Sequence, residues 1–373
     1  MRSIFSSRKK TGPLFRAALL ALMLGATVGW WFAVRESPAL PPAEKAQPDA
    51  EPRPSLLGIL LPRSAEAPTE ADPAPAKDGI SWGHRAGLHK VPDGLHLRAS
   101  AAYVVDQASG RALLRKNDEA VLPIASLTKL MTALVLMSAK LPMDETITVT
   151  EDDVDRERHS RSRLPVGSTL TRSDALHLAL MSSENRAAHA LARTFPGGLP
   201  AFVAAMNARA RAHGLKNTRF VEPTGLSSGN QSTARELAML AAAASRNPLI
   251  RQYSTTPQHE LMLGRRSVRY NNSDRLVKSR RWDIHLQKTG YIVEAGDCLV
   301  LNATMAGRNL IVVMLDSTDA HSRLADAERI RRWVEVEREA AVHNVSTGPH
   351  RGLRARSREQ AGKLGRHHRR TAD

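Results

Sequence analysis

Three apolar runs follow one another late in the chain: HLQKTGYI (285–292), CLVLNATMAG (298–307) and NLIVVMLDS (309–317). Each has strand length, and only short polar turns separate them. Connections that short join antiparallel neighbours, because a parallel pair needs a crossover of a dozen residues or more. AAYVVDQASGRALLRKN (101–117) reads likewise as strand, Gly-containing turn, strand. Between these ends the period changes to that of helices. SLTKLMTALVLMSAKL (126–141) is one. SDALHLALMSSENRAAHALARTF (173–195) is two, with a break near Ser182–Asn185, and LPAFVAAMNARARAHGL (199–215) stops at Gly214. Thr233 and Glu236 have the spacing of a capping box before LAMLAAAAS, and SRLADAERIRRWVEVE (322–337) closes the fold. Strands at both ends with helices between them predict an α+β fold. Its one antiparallel sheet draws its edges from distant sequence and is flanked by helices.

The ends of the chain are different in kind. Arg2, Arg8, Lys9, Lys10 and Arg16 precede an uncharged apolar stretch, Ala17–Val34, which Arg35 ends. Cations before an apolar segment are the pattern of an export signal, positive end inside. The segment is long for a cleaved signal, and Trp30, Trp31 and Phe32 suit an interfacial belt, so residues 1–35 read as a signal peptide or, by preference, a signal anchor. Residues 36–78 hold ten of the 21 prolines, mixed with Ala, Glu and Asp. Such a stretch buries too little apolar surface to fold, so 36–96 is expected to be a spacer. The folded domain is expected over 97–339, and 340–373 as a solvated basic tail. The net charge of +17 invites a nucleic-acid reading. Its extremes lie at the two ends, and aromatics for base stacking are few, so no nucleic-acid partner is expected. The tail could instead meet an anionic surface. Cys298 is the one cysteine, in an apolar strand, and is expected as a small buried hydrophobe.

Three short patterns carry the chemistry. In Ser126-Leu-Thr-Lys129, at the first turn of a helix, the hydroxyl and the amine share a face. The serine can pass its proton to an amine kept neutral by burial or by other cations. Ser183-Glu184-Asn185 falls at the helix break, where a hydroxyl and a carboxamide can both face a cleft. Lys288-Thr289-Gly290 lies on a strand, where Gly admits close backbone approach and the strand edge can pair with an extended peptide. Each is weak alone. Ser-x-x-Lys recurs at Ser6–Lys9 and Ser7–Lys10, Ser-x-Asn at Ser228–Asn230 and Ser245–Asn247, and Lys-Thr-Gly at Lys10–Gly12. Their order on helix, helix break and strand is what raises them above chance. Gly225-Leu-Ser-Ser-Gly229 matches a nucleophile elbow, but Pro223 precedes it and no helix follows directly. No His-Glu-x-x-His is present, so neither a metal nor another cofactor is expected.

With PIASLTKLMTA, ALMSSENRAAHALA, NTRFVEPTGLS, STARELA and LQKTGY, the stretch from about Ala101 to Glu337 resembles the low-molecular-mass penicillin-binding proteins, above all the D-alanyl-D-alanine endopeptidases of Gram-negative periplasm. The resemblance implies a β-lactamase/DD-peptidase-like fold with a helical subdomain and a single catalytic domain. It implies Ser126 as the acylated nucleophile, Lys129 as its base and Ser183 as a proton relay. Asn185, Lys288, Thr289, Gly290 and Tyr291 would bind substrate, with the amides of Ser126 and Tyr291 as the oxyanion hole. The partners implied are peptidoglycan peptide stems, with β-lactams as covalent inhibitors. A D-alanyl-D-alanine carboxypeptidase trimming pentapeptide stems is the alternative. Glu184 stands where class A β-lactamases carry Asp, and no segment supplies their deacylating Glu, so efficient β-lactam hydrolysis is not expected.

Overall fold

The computed structural model describes residues 78–346, and for 341–346 the backbone alone. The apolar segment 17–34, most of the spacer and the end of the basic tail lie outside the described residues.

The chain opens with a one-turn helix, α1 (Trp82–Arg85), then β1 (Ala101–Asp106), β2 (Ala112–Lys116) and the short β3 (Leu122–Pro123). A 3-10 turn, Ala125–Thr128, leads straight into α2 (Lys129–Ala139). A two-stranded ribbon, β4 (Thr146–Thr148) with β5 (Thr169–Thr171), brackets a long loop. Three helices follow, α3 (Arg172–Met181), α4 (Asn185–Arg193) and α5 (Gly198–Ala212). Then come β6 (Gln231–Ser232), α6 (Ala234–Ala244), α7 (Pro248–Thr255), and the hairpin of β7 (Gln258–Leu263) and β8 (Arg266–Asn271). β9 (Asp283–Ile292), β10 (Gly296–Met305), β11 (Arg308–Ser317) and α8 (Ala320–Ser346) complete the order.

The main sheet runs β2-β1-β11-β10-β9, with every adjacent pair antiparallel. The centres of β10 and β11 are largely apolar because both faces are covered. Ile311, Val313 and Leu315 of β11 point into the larger core with the helices of the middle region, while Leu310, Val312 and Met314 point the other way. There they meet Ala327, Ile330 and Val334 of α8. Cys298 is buried on the larger-core side, and burial pushes its thiol up to about 12. The α+β architecture with one antiparallel sheet is the one expected.

Several local expectations need correction. Residues 78–96 are not an extended spacer. Trp82 N donates to Glu294 O (2.9 Å), and Gly83 lies so close to Asp316 that a Cβ there would stand 2.1 Å from its carboxylate. That packing depends on a distant side chain, which local composition does not reveal. α8 continues to Ser346, past the boundary set at 339. Thr233 does cap α6, accepting from Glu236 N (3.1 Å), but the Glu236 carboxylate turns to Asn217 N and Thr218 Oγ1 instead of closing the box. The β7–β8 hairpin was not anticipated. Its strands are mostly exposed and mix polar with apolar residues, so their alternation is faint.

Candidate active site

The 3-10 turn before α2 puts Ser126 and Lys129 on one face. The Lys129 ammonium nitrogen lies 2.7 Å from Ser126 Oγ, 2.7 Å from Asn185 Oδ1 and 2.6 Å from the Thr224 carbonyl. Lys129 is 1% exposed. Burial lowers its pKa to about 7, against the charges of Glu222 and Glu184, which favour the protonated form. Near neutral pH this amine can therefore exist uncharged beside a hydroxyl, the arrangement a serine nucleophile and its base require.

The second pattern falls between α3 and α4. Asn185 is the first residue of α4, so its carboxamide projects from the helix start. Its Oδ1 accepts from Lys129 and its Nδ2 donates to Ser160 Oγ (3.0 Å). Ser183 has φ +62° and its hydroxyl has no hydrogen-bond partner among the described residues. Ala125, just before Ser126, also has a left-handed φ, +46°. Two non-glycine residues held in that region flank the cleft, which is where such strain is commonly kept.

The third pattern forms the opposite wall on β9. Lys288 is fully buried, and its Nζ donates to Thr289 O (2.7 Å). Burial first, then the charges of Lys129 and Arg323, hold its pKa well below the usual lysine range. Thr289 Oγ1 donates to Ser273 Oγ (2.7 Å). Gly290 runs against the Ser126 backbone: a Cβ there would lie 2.8 Å from Ser126 N and 3.0 Å from Ala125 Cβ. Space, not dihedral freedom, makes glycine necessary. Tyr291, next along, is 61% exposed.

Other residues complete the cleft and were not singled out on sequence grounds: Ser160, Glu222, Thr224 and Ser273. Residues 156–165, which include four arginines, are tied to the rest of the cleft. Arg158 donates to the Leu226 carbonyl and pairs with Glu294 (2.9 Å), and Arg163 lies over the Tyr270 ring at 4.6 Å. The recurrent Ser-x-Asn matches resolve as structural, since Asn230 is buried among loop donors and acceptors and Asn247 caps α7. Ser227 sits in a turn with no strand entering it, and its Oγ accepts from Gly229 N (3.0 Å). Among the described residues no cluster of three or more His, Cys, Asp or Glu could hold a metal.

Residues 88–319 match the sequence profile of the D-alanyl-D-alanine carboxypeptidase family. The chain is 43% identical to a D-alanyl-D-alanine endopeptidase of Pseudomonas aeruginosa, over 77% of this chain and 90% of that one. It is 41% identical to a D-alanyl-D-alanine endopeptidase of Escherichia coli, over 64% of this chain and 78% of that one. The Streptomyces K15 DD-transpeptidase superposes with a TM-score of 0.60 at 29% identity, over 64% of this chain and 97% of that one. The fold and the cleft are those of a serine DD-peptidase. This chain belongs to the D-alanyl-D-alanine carboxypeptidase family of peptidases.

Proposed function

We propose that this protein is an exported serine DD-peptidase that hydrolyses D-alanyl crosslinks between peptidoglycan stems, through an acyl-serine intermediate that penicillins also form. The observation that carries this reading is the contact of Lys129 Nζ with Ser126 Oγ at 2.7 Å, with Gly290 pressed on the Ser126 amide. The similarity to two endopeptidases, at 43% and 41% identity, favours endopeptidase over carboxypeptidase.

In this reading Ser126 Oγ attacks the carbonyl carbon of the D-alanyl bond while its proton passes to neutral Lys129. The amides of Ser126 and Tyr291 hold the developing oxyanion. The C–N bond then breaks, and the proton reaches the departing amine through Ser183, whose hydroxyl is uncommitted. Water activated by the same lysine hydrolyses the ester. Asn185 and Thr289 orient the peptide, and buried Lys288 lines the donor's end beside Thr289.

Residues 17–34 are assigned as the export signal or inner-membrane anchor, and the basic tail as a contact to anionic surface. Among the described residues no helix is long and apolar enough to cross a membrane. Labelling with a fluorescent penicillin tests the assignment. Covalent label is expected on the native protein and none on Ser126→Ala; a labelled alanine variant would remove Ser126 from the role.

A further inference from the structure

We propose that Glu222 is a positioning residue of this site: its carboxylate folds the Glu222–Gly225 turn so that the Thr224 carbonyl is held on Lys129 Nζ. The proposal rests on the reading of Lys129 as the base for Ser126.

Five donors converge on one carboxylate, the weakest of them Ser227 N at 3.5 Å from Oε1. Glu222 Oε2 accepts from Thr224 N (2.6 Å) and Thr224 Oγ1 (2.5 Å), and Oε1 accepts from Gly225 N (2.6 Å) and Asn230 Nδ2 (2.6 Å). The Asn230 carboxamide ties this turn back to the nucleophile's own segment, donating also to Thr128 Oγ1 (3.1 Å). No Lys or Arg forms an ion pair with Glu222 among the described residues. Its charge is therefore met by neutral hydrogen bonds and remains available to the nearby lysine.

The turn is seated with little tolerance. Gly225 has φ +89°, and a Cβ on it would stand 1.9 Å from Ala125 O. So the carboxylate that orients Thr224 towards Lys129 also presses the next residue against the backbone just before Ser126. Moving Glu222 moves both halves of the nucleophile–base pair.

The charged groups facing Lys129 are few. Glu222 and Glu184 favour its protonated form, with Glu222 the stronger, while Lys288 across the cleft is a like charge. Beyond Glu222 a cavity of about 510 Å³ is bordered by Asp152, Asp155, Arg156 and Glu157, and Arg158 donates to Leu226 in the same loop. Removing the Glu222 charge leaves Glu184 as the one close anion opposing burial. Lys129 then loses its proton at lower pH, and the acid limb of the acylation rate moves down with it.

The test is the rate constant for acylation by a fluorescent penicillin, followed from about pH 5 to about pH 9. In Glu222→Gln the acid limb is expected to fall by about 1 pH unit, and the plateau rate by about tenfold as the turn loses one of the two acceptor oxygens that fold it. Glu222→Asp keeps the charge but withdraws the carboxylate by one methylene, so the limb stays while the plateau falls. A folded Gln variant with the native limb overturns the electrostatic claim. An Asp variant that acylates like the native protein at every pH overturns the positioning claim, and decides alone if the Gln variant does not fold. Ser126→Ala run in parallel separates the two layers: residual label there defeats the reading of Ser126 and Lys129, not the placement of Glu222.

Discussion

Gly290 and Ser126 come from segments more than 160 residues apart, yet a Cβ on Gly290 would stand 2.8 Å from the Ser126 amide nitrogen. This contact joins β9 of the sheet to the 3-10 turn that carries the nucleophile. It explains why the third residue of Lys-Thr-Gly has no side chain: the strand and the Ser126 amide must form one wall for an oxyanion to rest on. In Gly290→Ala one of these backbones must retreat. Acylation by penicillin should slow about a hundredfold, a cost typical of displacing a reacting group by an ångström. Rapid-mixing kinetics with a fluorescent penicillin measure it, and an unchanged rate would mean that the close approach has no catalytic use.

Arg158 reaches from the long loop to Glu294, the buried acid in the β9–β10 turn, at 2.9 Å. The same loop places Ser160 on Asn185, and the Glu294 carbonyl accepts from Trp82 N. Arg158→Ala removes one guanidinium contact of a buried carboxylate. Unfolding stability in urea should drop by about 2 kcal/mol, with slower acylation because Asn185 loses its neighbour. A variant as stable as the native protein would show that the loop is held by its other contacts.

His177 is stacked on Tyr253 at 4.3 Å and lies 4.3 Å from His259. Burial, followed by the charge of His259, lowers its pKa to about 4 from an ordinary 6.5. Between these values the unfolded chain binds a proton that the folded protein refuses. The stability present above pH 6.5 is therefore lost progressively as pH falls towards 4. The urea midpoint should decline across that window, and less steeply in His177→Phe. An equal decline in both proteins would assign the acid sensitivity to other groups.

Much of the fold could be read from period alone. The three late strands alternate between two covered faces, and the break at Ser182–Asn185 falls where α3 gives way to α4. The order of Ser126–Lys129, Ser183–Asn185 and Lys288–Gly290 pointed to one cleft, and Ser126, Lys129, Asn185 and Gly290 do meet there. What stayed hidden depends on partners far away in sequence. Glu222 looks like any loop acid until Asn230 and the Thr224–Gly225 amides close on it. Gly83 looks like linker until it lies on Asp316. The left-handed backbone of Ser183, at φ +62°, was likewise hidden, because nothing in Ser-Glu-Asn by itself asks for it.

Digestion of purified crosslinked muropeptide dimers, with products resolved by mass, tests the central claim most directly. Native protein should convert dimers to monomers, and Ser126→Ala should leave them intact. Release of D-alanine alone would make the protein a carboxypeptidase, and cleavage by the alanine variant would contradict the acyl-serine mechanism itself.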